Sequence, residues 1–161
     1  MKIPWTDAAL ALAFAALGEC EIVISSLNTD FPGPRWINQV WVVLMALPVM
    51  FRRRFPAAAL VAFWLPVQVW LDIVYNAHSN LPLEPFIALL VVSYSAAAYV
   101  EAERLWVVYA VLALLYSSEI ALLVAGRKGL GNVTPGLVMI TLTFAIGRAM
   151  RSRRGEAREL R

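Results

Sequence analysis

Four carboxylates interrupt otherwise apolar runs: Glu19 and Glu21, Asp72, and Glu119. A fifth, Glu84, lies with His78 in a polar loop expected over 76–85. An ionisable side chain at bilayer depth is costly unless it faces a partner or water, so such residues are candidate functional groups. Gln68, Asp72 and Tyr75 recur at helical neighbour spacings and share a face. Glu19 and Glu21 are two apart and project to different sides, so one of them faces a bundle interior. Asn38 and Gln39 add polar groups that complete a lining. Three chemistries fit this set. The carboxylates are hydrated or pair with Arg35, Arg127 and Lys128; or they line a pocket for a cation, an amphiphile or a metal; or they belong to an ion-coupled pathway. A pathway needs polar groups that continue to the far side, where the sequence offers little beyond Ser93, Ser95, Tyr99, Thr141 and Thr143.

Other chemistries are poorly served. His78 is the single histidine, so no Ser-His-Asp arrangement is available and no catalytic residue is expected. His78, Glu84 and Asp72 have no metal-specific spacing, and no metal or cofactor is assigned. Cys20 is the single cysteine, which excludes a disulfide framework and reads as a small packing residue. The stretch 126–131 faintly resembles a phosphate loop, but no strand precedes it.

The elements that must position these groups follow from hydropathy. Of 161 residues, 61% are hydrophobic and 16% charged, and the mean hydropathy is +0.69. A soluble domain of this length carries more charge. Apolar runs of spanning length fall at about 8–27, 36–51, 55–75, 86–100, 105–125 and 136–150. Pro48 and Pro66 are expected bends, and 126–135 reads as a Gly-rich loop. The N-terminal run lacks a small-x-small cleavage site and reads as a retained span. The expected fold is therefore all-α, a polytopic integral membrane bundle of about six transmembrane helices.

Orientation follows from the basic residues. Of 14 Lys and Arg residues, eleven fall on one side: Lys2, Arg52, Arg53, Arg54, Arg104, Arg148, Arg151, Arg153, Arg154, Arg158 and Arg161. Only Arg35, Arg127 and Lys128 fall on the other. Both termini are then cytoplasmic, and the carboxylates lie toward the outside. Trp5, Trp36, Trp70 and Trp106 fall near interfaces, as aromatic anchors do. The clustering of bases between apolar runs argues against nucleic acid as a partner and for a bilayer. The division expected is a membrane domain over 1–150 and a basic cytoplasmic exit helix over 151–161, with Met150, Ala157 and Leu160 at heptad-like spacing.

The junction Leu47-Pro48-Val49-Met50-Phe51-Arg52-Arg53-Arg54-Phe55-Pro56 and the exit Gly147-Arg148, followed by an Arg- and Glu-rich tail, resemble the membrane domains of bacterial two-component sensor histidine kinases. The resemblance covers the whole chain in layout, through short motifs. It implies a multi-pass sensor in a bacterial cell membrane, working as a homodimer. Gly147, Arg148 and Met150 would be the signal exit, leading to a cytoplasmic kinase core that acts on a response regulator. The phosphoacceptor histidine and ATP-binding domain of that family are absent from these residues, so this chain would have no catalysis of its own. The alternatives are a small ion- or proton-coupled transporter and an accessory subunit of a membrane complex.

Overall fold

The computed structural model describes residues 4–27, 34–73, 83–126 and 130–159. Among them are six helices and no strand: α1 (Trp5–Leu27), α2 (Arg35–Phe51), α3 (Pro56–Ile73), α4 (Leu83–Tyr99), α5 (Leu105–Val124) and α6 (Leu130–Glu159). A short 3-10 turn at Ala102–Arg104 joins α4 to α5. The all-helical class read from the sequence is therefore observed. Two segments, Ala102–Ala121 and Val133–Arg153, are long and apolar enough to cross a membrane, and shorter apolar helices cover Arg35–Phe51, Pro56–Val67 and Glu84–Tyr99.

The central helix is α4, which packs against α1, α2, α3, α5 and α6. Its composition suits that place: Ala88, Val92, Ser93, Ala96 and Ala97 are all fully buried, and their small side chains admit neighbours on several sides. Around it Phe63, Leu60, Met45, Val49, Phe14 and Val108 fill the core. α1 and α2 are antiparallel neighbours, since Glu19 meets Gln39 and Asp7 meets Arg52. α5 and α6 are likewise antiparallel. Tyr116 and Thr141 share a 2.6 Å hydrogen bond, and the Tyr109 and Phe144 rings meet edge-on at 5.6 Å. Both helices keep large apolar side chains exposed, among them Trp106, Leu114, Leu142 and Ile146.

α6 runs parallel to α4 in a constant register. Gly136 lies beside Phe86, Gly147 beside Ala97, and Arg151 donates to the Val100 carbonyl, so partners stay 50 or 51 positions apart from end to end. At Gly147 the helices nearly touch: a Cβ there would fall 2.7 Å from the Tyr94 carbonyl oxygen and 2.8 Å from the Ala97 Cβ. Only glycine permits that approach.

Two boundaries differ from the sequence expectation. α6 starts at Leu130, so much of the presumed Gly-rich loop is helical, with Pro135 inside the helix one turn in, at the loss of one backbone hydrogen bond. Glu84 is not in a loop but in the first turn of α4. The basic tail is helical, as expected of an exit helix, and α6 carries it to Glu159.

Candidate functional site

At the end of the bundle formed by the C-terminal half of α1 and the N-terminal turns of α2 and α4, five of the expected site residues converge. Gln39 Nε2 on α2 donates to Glu19 Oε2 on α1 at 2.9 Å. The backbone N–H of Glu84 donates to Glu21 Oε2 at 3.2 Å. Glu21 thus caps α4 from another helix, satisfying one of the amide donors that a helix start leaves open and placing negative charge at the positive end of its dipole. The i, i+2 spacing of Glu19 and Glu21 serves two different neighbours: Glu19 turns to α2 and Glu21 to α4. Asn38 is buried one turn before Val42 on the same face of α2.

Glu84 has the most unusual surroundings. It is 3% exposed, and neither carboxyl oxygen has a hydrogen-bond partner among the described residues. Room for it comes from Gly18, whose absent side chain lets Val42 and the Glu84 stem close over α1; a Cβ on Gly18 would meet Val42 and lie 3.3 Å from Glu84 Cγ. Glu84 precedes the apolar run that begins at residue 86.

The remaining candidates divide. Glu119 is half-buried on α5, which packs chiefly on α3 and α6. The structure therefore does not join it to Glu19 and Glu21 through a helix pair. Gln68 and Asp72 fall in the last turns of α3, where their side chains lie outside the described residues, as do Tyr75 and His78 altogether. Among the described residues no group of three metal-ligating side chains comes together.

The opposite end holds a constellation that sequence reasoning missed. Asp7 on α1 is fully buried, and its Oδ1 accepts from Arg52 Nε at 3.2 Å and Nη2 at 3.0 Å. Arg53 Nε lies 3.2 Å from the same oxygen. The arginine run sits in the tight turn between α2 and α3, where Arg54 stacks over Phe55 at 5.5 Å. Beyond their count toward orientation, Arg52 and Arg53 fasten the start of α1 to that turn. The signal lay in Asp7, an acid placed at the mouth of an apolar run on the arginine-rich side. The exit residues lie at this end too. Gly147 forms the close crossing, Arg148 buries one guanidinium nitrogen, Nη1, that has no partner among the described residues, and Met150 is 38% exposed.

Fold and site together define an all-helical domain with a buried acidic corner at one end and a charged clasp at the other. The chain belongs to the family described as a domain of unknown function, DUF7134, which matches residues 2–154. No curated protein and no solved structure matches it.

Proposed function

We propose that this chain is the membrane input domain of a two-component sensor histidine kinase, a six-span bundle with both termini in the cytoplasm. The observation that carries the reading is α6. It is one helix of 30 residues, roughly 45 Å long at 1.5 Å per residue. It leaves the bundle without a break while holding a fixed register on the central helix α4. A displacement of α4 against α1 at the acidic end would pass along that parallel pair to the basic tail. A rigid exit helix of this kind biases two arrangements of a following dimeric kinase core.

Several features support the membrane placement. Trp5, Trp36 and Trp106 sit exposed at helix ends, as interfacial anchors do. Exposed apolar side chains on α5 and α6 suit lipid better than water. The helices of 17 and 18 residues reach roughly 26 Å, close to a hydrocarbon core when their ends carry anchors. Transport is less well supported, because below the acidic corner α4 offers only the hydroxyls of Ser93, Tyr94, Ser95 and Tyr99, and Ser95 bonds its own helix at Val91.

The test is made on the protein as its native gene encodes it. In lipid nanodiscs it should take phosphate from ATP onto a histidine beyond Arg161, and Gly147→Leu, which pushes α6 off α4, should change the kinase-to-phosphatase ratio several-fold. A native gene product without that histidine sinks the kinase reading. Placement is tested separately by a Ser79→Cys label in a Cys20→Ser background; labelling from the cytoplasm alone overturns the orientation.

A further inference from the structure

We infer that the acidic corner between α1, α2 and α4 is a proton-binding site, with Glu84 as the group that takes and releases the proton. The geometry requires it to be neutral when the helices are packed as observed. Both Glu84 oxygens are buried with no partner among the described residues, and its stem lies across Gly18 under Val42. An ionised carboxylate in that place would stand unsolvated and, among the described residues, uncompensated, which is far more costly than burying the acid.

The neighbours on every element packed at this end of α4 sharpen the point. α1 supplies Glu21, which already accepts the Glu84 amide, and Glu19, which is held by Gln39. α2 supplies Arg35, which is exposed at the helix start. α3 carries Asp72 in its final turns, α5 carries Glu119, and the described start of α6 carries no ionisable group. Arg127, Lys128 and His78 lie outside the described residues. The described surroundings are thus predominantly acidic, and a second negative charge on Glu84 repels Glu21 across the α1–α4 contact.

Loss of the proton therefore drives α4 away from α1, and re-protonation restores the packed state. The ligand is the proton, taken from the medium on that side of the bundle. Because α4 and α6 share one register, the proton-linked shift is delivered to the exit helix; this last step alone rests on the sensor reading above. The ligand class is decided against a metal or an organic cation by the absence of a third ligating group among the described residues and by the close fit of Gly18, Val42 and the Glu84 stem.

Infrared difference spectroscopy of the chain in lipid nanodiscs, titrated from about pH 5 to about pH 9, reads the site directly. The wild type should lose one protonated-carboxyl carbonyl band as the pH rises. Glu84→Gln should lack that band while keeping the low-pH fold, and Glu21→Gln should lower the midpoint by removing the repelling charge. A wild type without the band, or a Glu84→Gln variant that retains it, overturns the proposal. Loss of the band at fixed pH on adding sodium, calcium or tetramethylammonium overturns the proton as ligand and gives the site to that cation. A spin-label pair at Ala102 and Met150 in a Cys20→Ser background separates the two readings. Movement with pH in wild type but not in Glu84→Gln supports both. A responding band with an unmoved pair leaves the proton site and removes the relay.

Discussion

Asp7 and Glu84 sit at opposite ends of the same bundle, both almost wholly removed from solvent, and their neighbours could hardly differ more. Around Asp7 three nitrogens from two arginines converge on one carboxylate oxygen. Around Glu84 no described donor reaches either oxygen, and the group closest in chemistry is another acid. A buried charge with its countercharges is a fixed joint, because removing one partner strands the others. A buried carboxyl without them is stable only while it keeps its proton, which makes the packing around it conditional on the medium. The difference separates a clasp that keeps the bundle closed from a corner where it can be opened.

The comparison is broken most directly at Asp7. Asp7→Ala should cost about 3–5 kcal/mol, since it leaves Arg52, 14% exposed, without its countercharge; thermal unfolding in nanodiscs measures it. If Asp7→Ala unfolds like wild type, the clasp is ornamental and the contrast falls. Next in size is Gly147→Leu, for which overpacking against the Tyr94 carbonyl should cost about 1–3 kcal/mol and loosen α6 from α4, read by cross-linking between the two helices.

Glu84→Gln should behave in the opposite sense from Asp7→Ala. Because the packed corner leaves an ionised Glu84 without a described partner, the folded state holds a proton that the unfolded chain releases. Its contribution is thus present at low pH and falls away as pH rises. The melting temperature of wild type should decline as pH is raised from about 5 to about 9, and that of Glu84→Gln should not. A variant with the same decline places the titrating group elsewhere. The smallest effect belongs to Arg53→Ala: Arg53 is 45% exposed, and a pair so screened is worth at most about 1 kcal/mol. An Arg53 effect equal to that of Arg52→Ala would mean that the two arginines are interchangeable at Asp7.

How far the site could be read in advance depended on the kind of contact. Glu19, Glu21, Asn38 and Gln39 were marked by polarity at similar depth, and the antiparallel pairing of α1 with α2 brings that face of α1 against the start of α2. The i, i+2 rule separated Glu19 from Glu21, yet it did not foresee that both would be used, one toward each neighbour. In the sequence Glu84 reads as part of a polar loop that also holds Pro82 and Pro85; proline is tolerated in a helix's first turn, and α4 begins there instead. Glu119 matched the others in depth but belongs to a helix on another side of the bundle. Depth is one coordinate, and hydropathy does not supply the angle around the bundle axis. The parallel pairing of α4 with α6 was invisible for the same reason: its determinants, Gly147 and Ala97, are small residues whose meaning lies in what approaches them.

By itself the sequence determined that the protein is helical, where most of the helices lie, and that its bases crowd at one end. Those properties follow from local hydropathy, proline placement and charge, which act on neighbours along the chain. Only the tertiary structure decided which carboxylate would be clasped and which left bare. That choice depends on which helices touch. Asp7 meets Arg52 across 45 positions of the chain, and Glu84 settles over Gly18 because no side chain stands in its way.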